Sequence, residues 1–149
     1  MTKMLIAAAA GGVAVAAVLV VRVPAATGPS TIRITDVQFG YRLVPDASNG
    51  RAGDVEMVQQ RLFKPPLTQS IGHSYLICTY VDRRGRQCNG TYSLPKGTLV
   101  VSGMIQSRLL FEIAVVGGTG FYDNARGSLT VTSTHLRPRR EVLVFRLAG

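Results

Sequence analysis

The chain reads Leu-Leu-Phe-Glu-Ile-Ala-Val-Val over residues 109–116 and continues directly into Gly117-Gly118-Thr119-Gly120. The first part is an apolar strand with one charge, and the second must bend the chain sharply. The glycine run lacks the spacing of a dinucleotide-binding or Walker loop, and no helical period follows it. We therefore interpret it as a backbone corner between two strands, where larger side chains would clash.

Seven further segments have the two-residue period that is typical of strands. The eight predicted strands are Thr31–Leu43, Asp54–Phe63, Ser70–Val81, Gln87–Leu94, Thr98–Gln106, Leu109–Val116, Gly127–Thr134 and Glu141–Leu147. Trp is absent and Gly is frequent, at 16 residues, which favours strands joined by tight turns. This spacing predicts an all-β sandwich or closed barrel, and closure removes the edges that apolar strands would expose. An eight-stranded barrel is just wide enough to enclose one small ligand.

The formal net charge of +9 raises the question of a nucleic-acid partner. The basic residues are scattered or fall in two short runs, Arg-Arg-Gly-Arg at 83–86 and Arg-Pro-Arg-Arg at 137–140. Both runs lie between predicted strands. We therefore interpret them as solvated turns rather than an anion-binding patch, and expect no nucleic-acid partner.

Residues 1–30 differ from the rest of the chain. Lys3 precedes an unbroken apolar stretch, Met4–Val21, and Arg22 is followed by Val-Pro-Ala-Ala at 23–26. A positive start, an apolar run and small residues predict a secretory signal peptide that is cut before Ala26. The stretch is also nearly long enough for an uncleaved membrane anchor, and a lid over the barrel is a third interpretation. The first two place the barrel, residues 31–149, outside the cytoplasm, either secreted or attached to a membrane.

Cys78 and Cys88 flank Asp-Arg-Arg-Gly at 82–85, which is a turn signal. If the flanking segments form a hairpin, the two sulfurs meet on neighbouring strands, where a disulfide forms in an oxidising compartment. Two buried free thiols are the alternative. The cysteines and the distant His73 and His135 lack the spacing of metal ligands, so no metal site is predicted.

Several motifs carry a family resemblance. Ala-Val-Val-Gly-Gly-Thr-Gly at 114–120, with Ala-Arg-Gly at 125–127, resembles the signature shared by dirigent proteins and the allene oxide cyclase barrel. Ile71–Cys78 resembles the third strand of that superfamily, and Gly90–Tyr92 and Val101–Gly103 fall at its expected intervals. The similarity covers about Thr35 to Leu147. It implies an eight-stranded antiparallel barrel, lipocalin-like in shape, with an elongated apolar cavity. It also implies a homo-oligomer, a trimer or a dimer, and no cofactor.

The resemblance also implies site residues. Allene oxide cyclases act on an unstable fatty-acid epoxide; a pocket Glu helps to open it, and an Asn and a Pro carbonyl hold a water. These positions fall on Asp36, Gln38 and Pro45, and a second pocket Asn falls on Gln60. The family's pocket Cys and fifth-strand Tyr fall on Cys78 and Ile105. Because the pattern is altered at these positions, we expect a related ring-closing activity rather than allene oxide cyclase activity itself.

The two-residue period fits part of this assignment. If Ile34 faces inward, Asp36 and Gln38 share the inner face of the first strand. Burial among apolar walls then raises the pKa of Asp36, which suits a catalytic acid or base. Gln38 and Gln60 are placed to donate to an oxyanion. In the alternative, Asp36 is solvated and the inner face belongs to Val37, Phe39 and Tyr41.

Other strands supply further candidates for substrate contact. These are Leu76 and Cys78 on the inner face of the third strand, and Tyr80 and Tyr92 at the mouth. Glu112 is either a second pocket acid paired with Arg126, or a residue that faces solvent or a neighbouring subunit. Dirigent-type sites draw on acids and on the Arg of Ala-Arg-Gly, which keeps Arg126 among the candidates.

Three functions remain open at this point. The first is a cyclase or isomerase for a lipid-like or polyketide-like substrate. The second is a dirigent-type protein that orients radicals made by another enzyme, and the third is a secreted binder of apolar ligands. A buried acid beside amides favours the first, but a fold alone does not choose among them.

Overall fold

Eight antiparallel strands close into one barrel in the computed structural model, which describes residues 30–46, 51–134 and 137–148. The strands are β1 (Ser30–Val44), β2 (Val55–Phe63), β3 (Ser70–Tyr80), β4 (Arg86–Leu94), β5 (Gly97–Ile105), β6 (Leu110–Gly118), β7 (Arg126–Ser133) and β8 (Arg140–Ala148). Each strand pairs with the next one along the chain, and β8 pairs with β1. A short 3₁₀ helix, Gly120–Tyr122, joins β6 to β7.

The strand predictions are confirmed, with every boundary within two residues of the expected one. The predicted corner after β6 is confirmed as well. A Cβ on Gly118 would collide with the backbone carbonyl oxygens of Thr98 and Tyr122, and Gly120 has a φ of +64°. Glycine is needed at the first position for close approach of the backbone, and at the second for a left-handed conformation.

Alternation along each strand separates an inner from an outer face. The innermost side chains, each 1 % exposed or less, include Ile34, Leu62, Tyr92, Leu99, Leu129, Leu143 and Phe145. The rings of Tyr92 and Phe145 pack edge to face, with centroids 5.2 Å apart. Tyr92 was expected at the mouth. It faces inward, as the two-residue period also predicted, but it is 1 % exposed and belongs to the core.

The alternation in β1 ends at a register shift between Gln38 and Gly40. Before the shift, Ile34 and Asp36 are buried; Phe39 at the shift and Tyr41 beyond it are exposed. The alternative in which Phe39 and Tyr41 take the inner face is therefore wrong. The predicted signal or anchor segment, 1–30, lies outside the described residues apart from Ser30. In the part of the chain that the structure describes, no helix has the length and hydropathy needed to cross a membrane.

Candidate active site

A polar cavity of about 40 Å³ lies at the barrel end where the β1–β2, β3–β4, β5–β6 and β7–β8 connections meet. Its polar lining is Gln38, Glu56, Gln60, Arg86, Arg139 and Glu141. Its apolar lining is Val58, Leu76, Cys78, Ile105 and Phe111. The volume suits ordered water or one functional group, whereas sites for whole small molecules have about 300–1,000 Å³. A substrate therefore places only its reactive group here unless lining side chains move.

Asp36 lies one step deeper in the barrel than this cavity. Its side chain is fully buried, and Oδ1 accepts a hydrogen bond from the backbone N–H of Glu141 at 3.1 Å. Oδ2 is buried without a hydrogen-bond partner. Burial raises the pKa of Asp36 to about 8; the negative charge of Glu141 adds to the rise, and its backbone N–H and Arg139 oppose it. Asp36 is thus largely protonated at neutral pH.

Glu141 connects Asp36 to the cavity. Its Oε2 accepts a hydrogen bond from Nε2 of Gln60 at 3.1 Å, and its Oε1 accepts one from Nε of Arg139 at 2.9 Å. The hydroxyl of Ser74 donates to Oε1 of Gln60 at 2.8 Å. Both ends of the Gln60 amide are therefore held, and the second hydrogen on its Nε2 is left for another acceptor.

A second cluster in the same end of the barrel is centred on Glu56. Its Oε2 accepts a hydrogen bond from the Tyr80 hydroxyl at 3.0 Å and lies 3.3 Å from Nε of Arg86. Nη2 of Arg108 lies 3.5 Å from the same oxygen and also donates to the Tyr80 hydroxyl. Glu56 and Arg86 are both buried, so this is an internal ion pair.

Around the polar cavity, guanidinium groups outnumber the carboxylates with which they pair. With Asp36 protonated, the carboxylates of Glu56 and Glu141 face three guanidinium groups, those of Arg86, Arg108 and Arg139. Such an excess stabilises negative charge that develops on a bound oxygen atom, and the effect is largest where water is excluded. The arrangement can thus donate a proton and support an oxyanion within one small volume.

The structure brings together part of the predicted site. Five of the predicted residues line the polar cavity, namely Gln38, Gln60, Leu76, Cys78 and Ile105. Asp36 lies beneath it, and the hydroxyl of Tyr80 contacts its wall at Glu56. Tyr92 is buried deeper, in the core.

Three predicted residues lie elsewhere. Pro45 is exposed beyond the end of β1 and is not part of the lining. Glu112 is exposed on the outer face of β6, because Ile113 and Val115 take the inner face, and it accepts a hydrogen bond from Thr130. Arg126 is exposed at the start of β7, away from the cavity, so the suggested pocket pair with Glu112 does not form.

Sequence reasoning missed several polar residues of the cavity, above all Glu141, Glu56 and the two arginines Arg86 and Arg139. The arginines belong to the runs that were interpreted as solvated turns. For Arg86 that interpretation is wrong, because the residue begins β4 on the inner face and is 6 % exposed. The two-residue period could have identified Glu141 as an inward residue, because it lies two and four positions before the inward Leu143 and Phe145 of the last strand.

The predicted disulfide is confirmed. Cys78 and Cys88 are paired directly opposite one another on β3 and β4. Both are buried, and Cys78 contributes to the cavity wall. Disulfides of this kind persist in oxidising compartments. Among the residues of the described ranges, no group of three His, Cys, Asp or Glu side chains could hold a metal ion.

Comparisons with known proteins identify the fold. No protein-family model matches the chain, and a search of curated proteins finds no similar sequence. A pyocyanin demethylase is similar in structure, with a TM-score of 0.68 and 20 % identity over 76 % of this chain and 98 % of its own. A pterocarpan synthase dirigent protein gives a TM-score of 0.62 and 17 % identity, over 80 % of this chain and 87 % of its own.

An exo-specific intermolecular Diels-Alderase has the same barrel, with a TM-score of 0.64 and 10 % identity over 82 % of this chain and 99 % of its own. Identities this low relate the proteins by fold alone. The resemblance to the allene oxide cyclase and dirigent-like barrel is therefore confirmed as a statement about architecture.

Proposed function

We propose that the protein is a small-molecule cyclase or isomerase that catalyses ring closure or rearrangement at the polar cavity. The observation that carries the proposal is Asp36: a buried carboxyl that is protonated near neutral pH, with one oxygen free of any hydrogen bond. A buried, unpaired carboxyl destabilises the fold, and groups of this kind concentrate at active sites. The barrel likeness to a Diels-Alderase supports an enzyme of this class.

The proposed substrate is an apolar molecule with one polar group, such as an epoxide or a carbonyl. Its oxygen occupies the polar cavity, where the amides of Gln38 and Gln60 face it. Its apolar body lies at the cavity mouth against Val58 and Phe111, the partly exposed members of the apolar lining. This division follows from the size of the cavity, which is too small for the whole molecule.

The proposed chemistry is acid catalysis with electrostatic support. Asp36 holds the proton, because burial and the negative charge of Glu141 raise its pKa to about 8. The proton passes from Asp36 to the carboxylate of Glu141, which lines the cavity, and from there to the substrate oxygen as the ring bond forms or the epoxide opens. A rearranged product returns a proton to the Asp36–Glu141 pair, so an isomerisation consumes none. Holding the substrate body in a folded shape supplies the orientation.

The test begins with the natural ligand. Native mass spectrometry of protein purified from its own source identifies a bound molecule. Unsaturated precursors of that molecule are then incubated with the protein, and chiral chromatography detects cyclic products. We expect Asp36→Asn to lower the rate by about 10²–10⁴-fold, the usual contribution of a general acid. Asp123→Asn is the matched control, because Asp123 is exposed and lies near the opposite end of the barrel. Full activity in Asp36→Asn contradicts the proposal.

A second candidate function is dirigent-type control of a radical coupling, favoured by the likeness to pterocarpan synthase dirigent proteins. Such a protein needs no acid of its own. It would produce an enantiomeric excess only when an oxidase that generates phenoxy radicals is added, and Asp36→Asn would leave that excess unchanged. The same two variants therefore separate the candidates.

The proposal also includes export from the cytoplasm. The Cys78–Cys88 disulfide favours an oxidising compartment, and the apolar residues 4–21 are typical of an export signal or membrane anchor. Fractionation of the producing cells, with mass spectrometry of the N-terminus of the mature protein, tests this part separately.

A further inference from the structure

A second cavity lies at the opposite end of the barrel from the polar cavity. We refer to it as the apolar cavity. Its volume is about 300 Å³, several times that of the polar cavity. The start of β1, the β2–β3 and β4–β5 connections and the 3₁₀ helix enclose it. A volume of this size lies at the lower limit of small-molecule sites, which begin at about 300 Å³.

The walls of this cavity are mainly hydrocarbon. Ile32, Ile34, Ile71 and Leu94 supply the aliphatic part, and Phe121 with Tyr122 supplies the aromatic part. Ile34 is 1 % exposed and belongs to the main core. The inner end of the cavity is therefore closed by core side chains. Filling such a space with an alkyl chain removes apolar surface from water on both partners, at about 25 cal/mol per Å².

Two lysines, Lys64 and Lys96, also line the cavity. Nζ of Lys96 lies 4.9 Å from the ring centroid of Phe121, which holds the ammonium group beside the aromatic wall. None of the ion pairs found among the described residues involves Lys64 or Lys96. Within the described ranges neither lysine therefore has a carboxylate as an ion-pair partner, and both charges are available to a ligand.

We propose that the apolar cavity binds an aliphatic carboxylate of medium chain length, with the chain against the isoleucines and the carboxylate between Lys64 and Lys96. This site goes beyond the proposed function, because it lies at the other end of the barrel and uses none of the residues around Asp36. The chemistry of the lining sets the class: an apolar body of limited size with one negatively charged end.

The test uses the full-length protein, with sodium decanoate as the probe and 1-decanol as its neutral counterpart, both measured by titration calorimetry. We expect decanoate to bind with one molecule per chain. In Lys64→Met/Lys96→Met its affinity should fall about tenfold, since two partly exposed ion pairs together supply about 1.4 kcal/mol. Decanol binding should hardly change, because methionine keeps the apolar part of each side chain.

Two further variants keep the proposal falsifiable. Ile71→Phe, which fills the cavity, should abolish binding of both probes while circular dichroism shows an intact barrel. Arg33→Met removes an exposed charge from the outer face of β1, outside the lining, and should bind decanoate like the parent protein. The proposal is overturned if the parent protein does not bind decanoate, if the double lysine variant binds it as tightly as the parent, or if Ile71→Phe retains it.

Discussion

Asp36 and Glu141 face each other in register across β1 and β8, and the backbone N–H of Glu141 donates to Oδ1 of Asp36 at 3.1 Å. Both residues are buried, so closure of the barrel brings two carboxyl groups together in a region with little water. The first and last strands meet only in the folded state. The raised pKa of Asp36 is therefore a property of the native barrel and is lost on unfolding.

This relationship predicts an unusual dependence of stability on pH. The pKa of Asp36 rises from 3.8 to about 8 on folding, chiefly through burial. Between these values the native state binds more protons than the unfolded state, so the free energy of unfolding should fall as pH rises from about 4 to 8. The contribution is fully present below the unfolded pKa and is lost as pH passes the folded one. Urea unfolding at a series of pH values measures it.

Asp36→Asn serves as the test variant for this prediction, and Asp123→Asn serves as the control. An amide does not titrate, so Asp36→Asn should show a flatter profile and should gain stability over the parent protein as the pH is raised. Asp123→Asn should follow the parent curve, because that side chain is exposed. Parallel curves for all three proteins would contradict the assignment of the titration to Asp36.

Tyr92 offers a test of the interior. Its ring is 1 % exposed and packs edge to face on Phe145. Truncation to alanine should therefore destabilise the protein by about 3–5 kcal/mol, as expected for a large core side chain. Tyr75→Ala is the matched control on the outer face of β3, where the ring is 47 % exposed, and should cost far less. Similar losses for the two variants, measured by urea unfolding, would place Tyr92 at the mouth after all.

The strands and the barrel could be predicted from the sequence because alternation is local. An apolar residue such as Ile34 favours the interior wherever its strand pairs, and the residues two positions away lie on the same face. The number and spacing of the strands predicted a sandwich or a closed barrel, and the family resemblance implied the barrel. The corner at Gly118 was predictable since no other residue tolerates so close a backbone approach.

The polar cavity was harder to predict, because its chemistry depends on pairings between distant strands. Glu56 and Arg108 lie 52 residues apart in the sequence, and no pattern of neighbouring residues predicts their contact. Glu112 was considered as a pocket residue because it is the only acid in an apolar strand. The alternation of the strand nevertheless places it on the outer face if Ile113 faces inward. Cavity volume is less predictable still, because it depends on how all the inward side chains pack together.

The disulfide predicts a measurable loss of stability on reduction. The Cys78–Cys88 bond closes a loop with a sequence separation of 10 residues. In the chain-entropy account a loop this short stabilises the folded state by about 2–3 kcal/mol. Cys78→Ala/Cys88→Ala should lower the free energy of unfolding by about that amount, and a reducing agent should have no additional effect on the variant. If the reducing agent lowered the stability of the parent protein and of the double variant equally, its effect would not come from breaking the Cys78–Cys88 bond.

Glu56 should be essential to the polar end of the barrel. Its Oε2 receives the Tyr80 hydroxyl and lies within ion-pair distance of Arg86 and Arg108. Glu56→Gln leaves the buried guanidinium of Arg86 without a counter-charge, which should cost about 3–5 kcal/mol. Glu112→Gln, on the exposed outer face, should stay within about 0.5 kcal/mol of the parent. Adding Arg86→Met to Glu56→Gln should recover part of the loss, since the unpaired charge is then removed. A double variant no more stable than Glu56→Gln alone would mean that the cost comes from lost packing rather than from a buried charge.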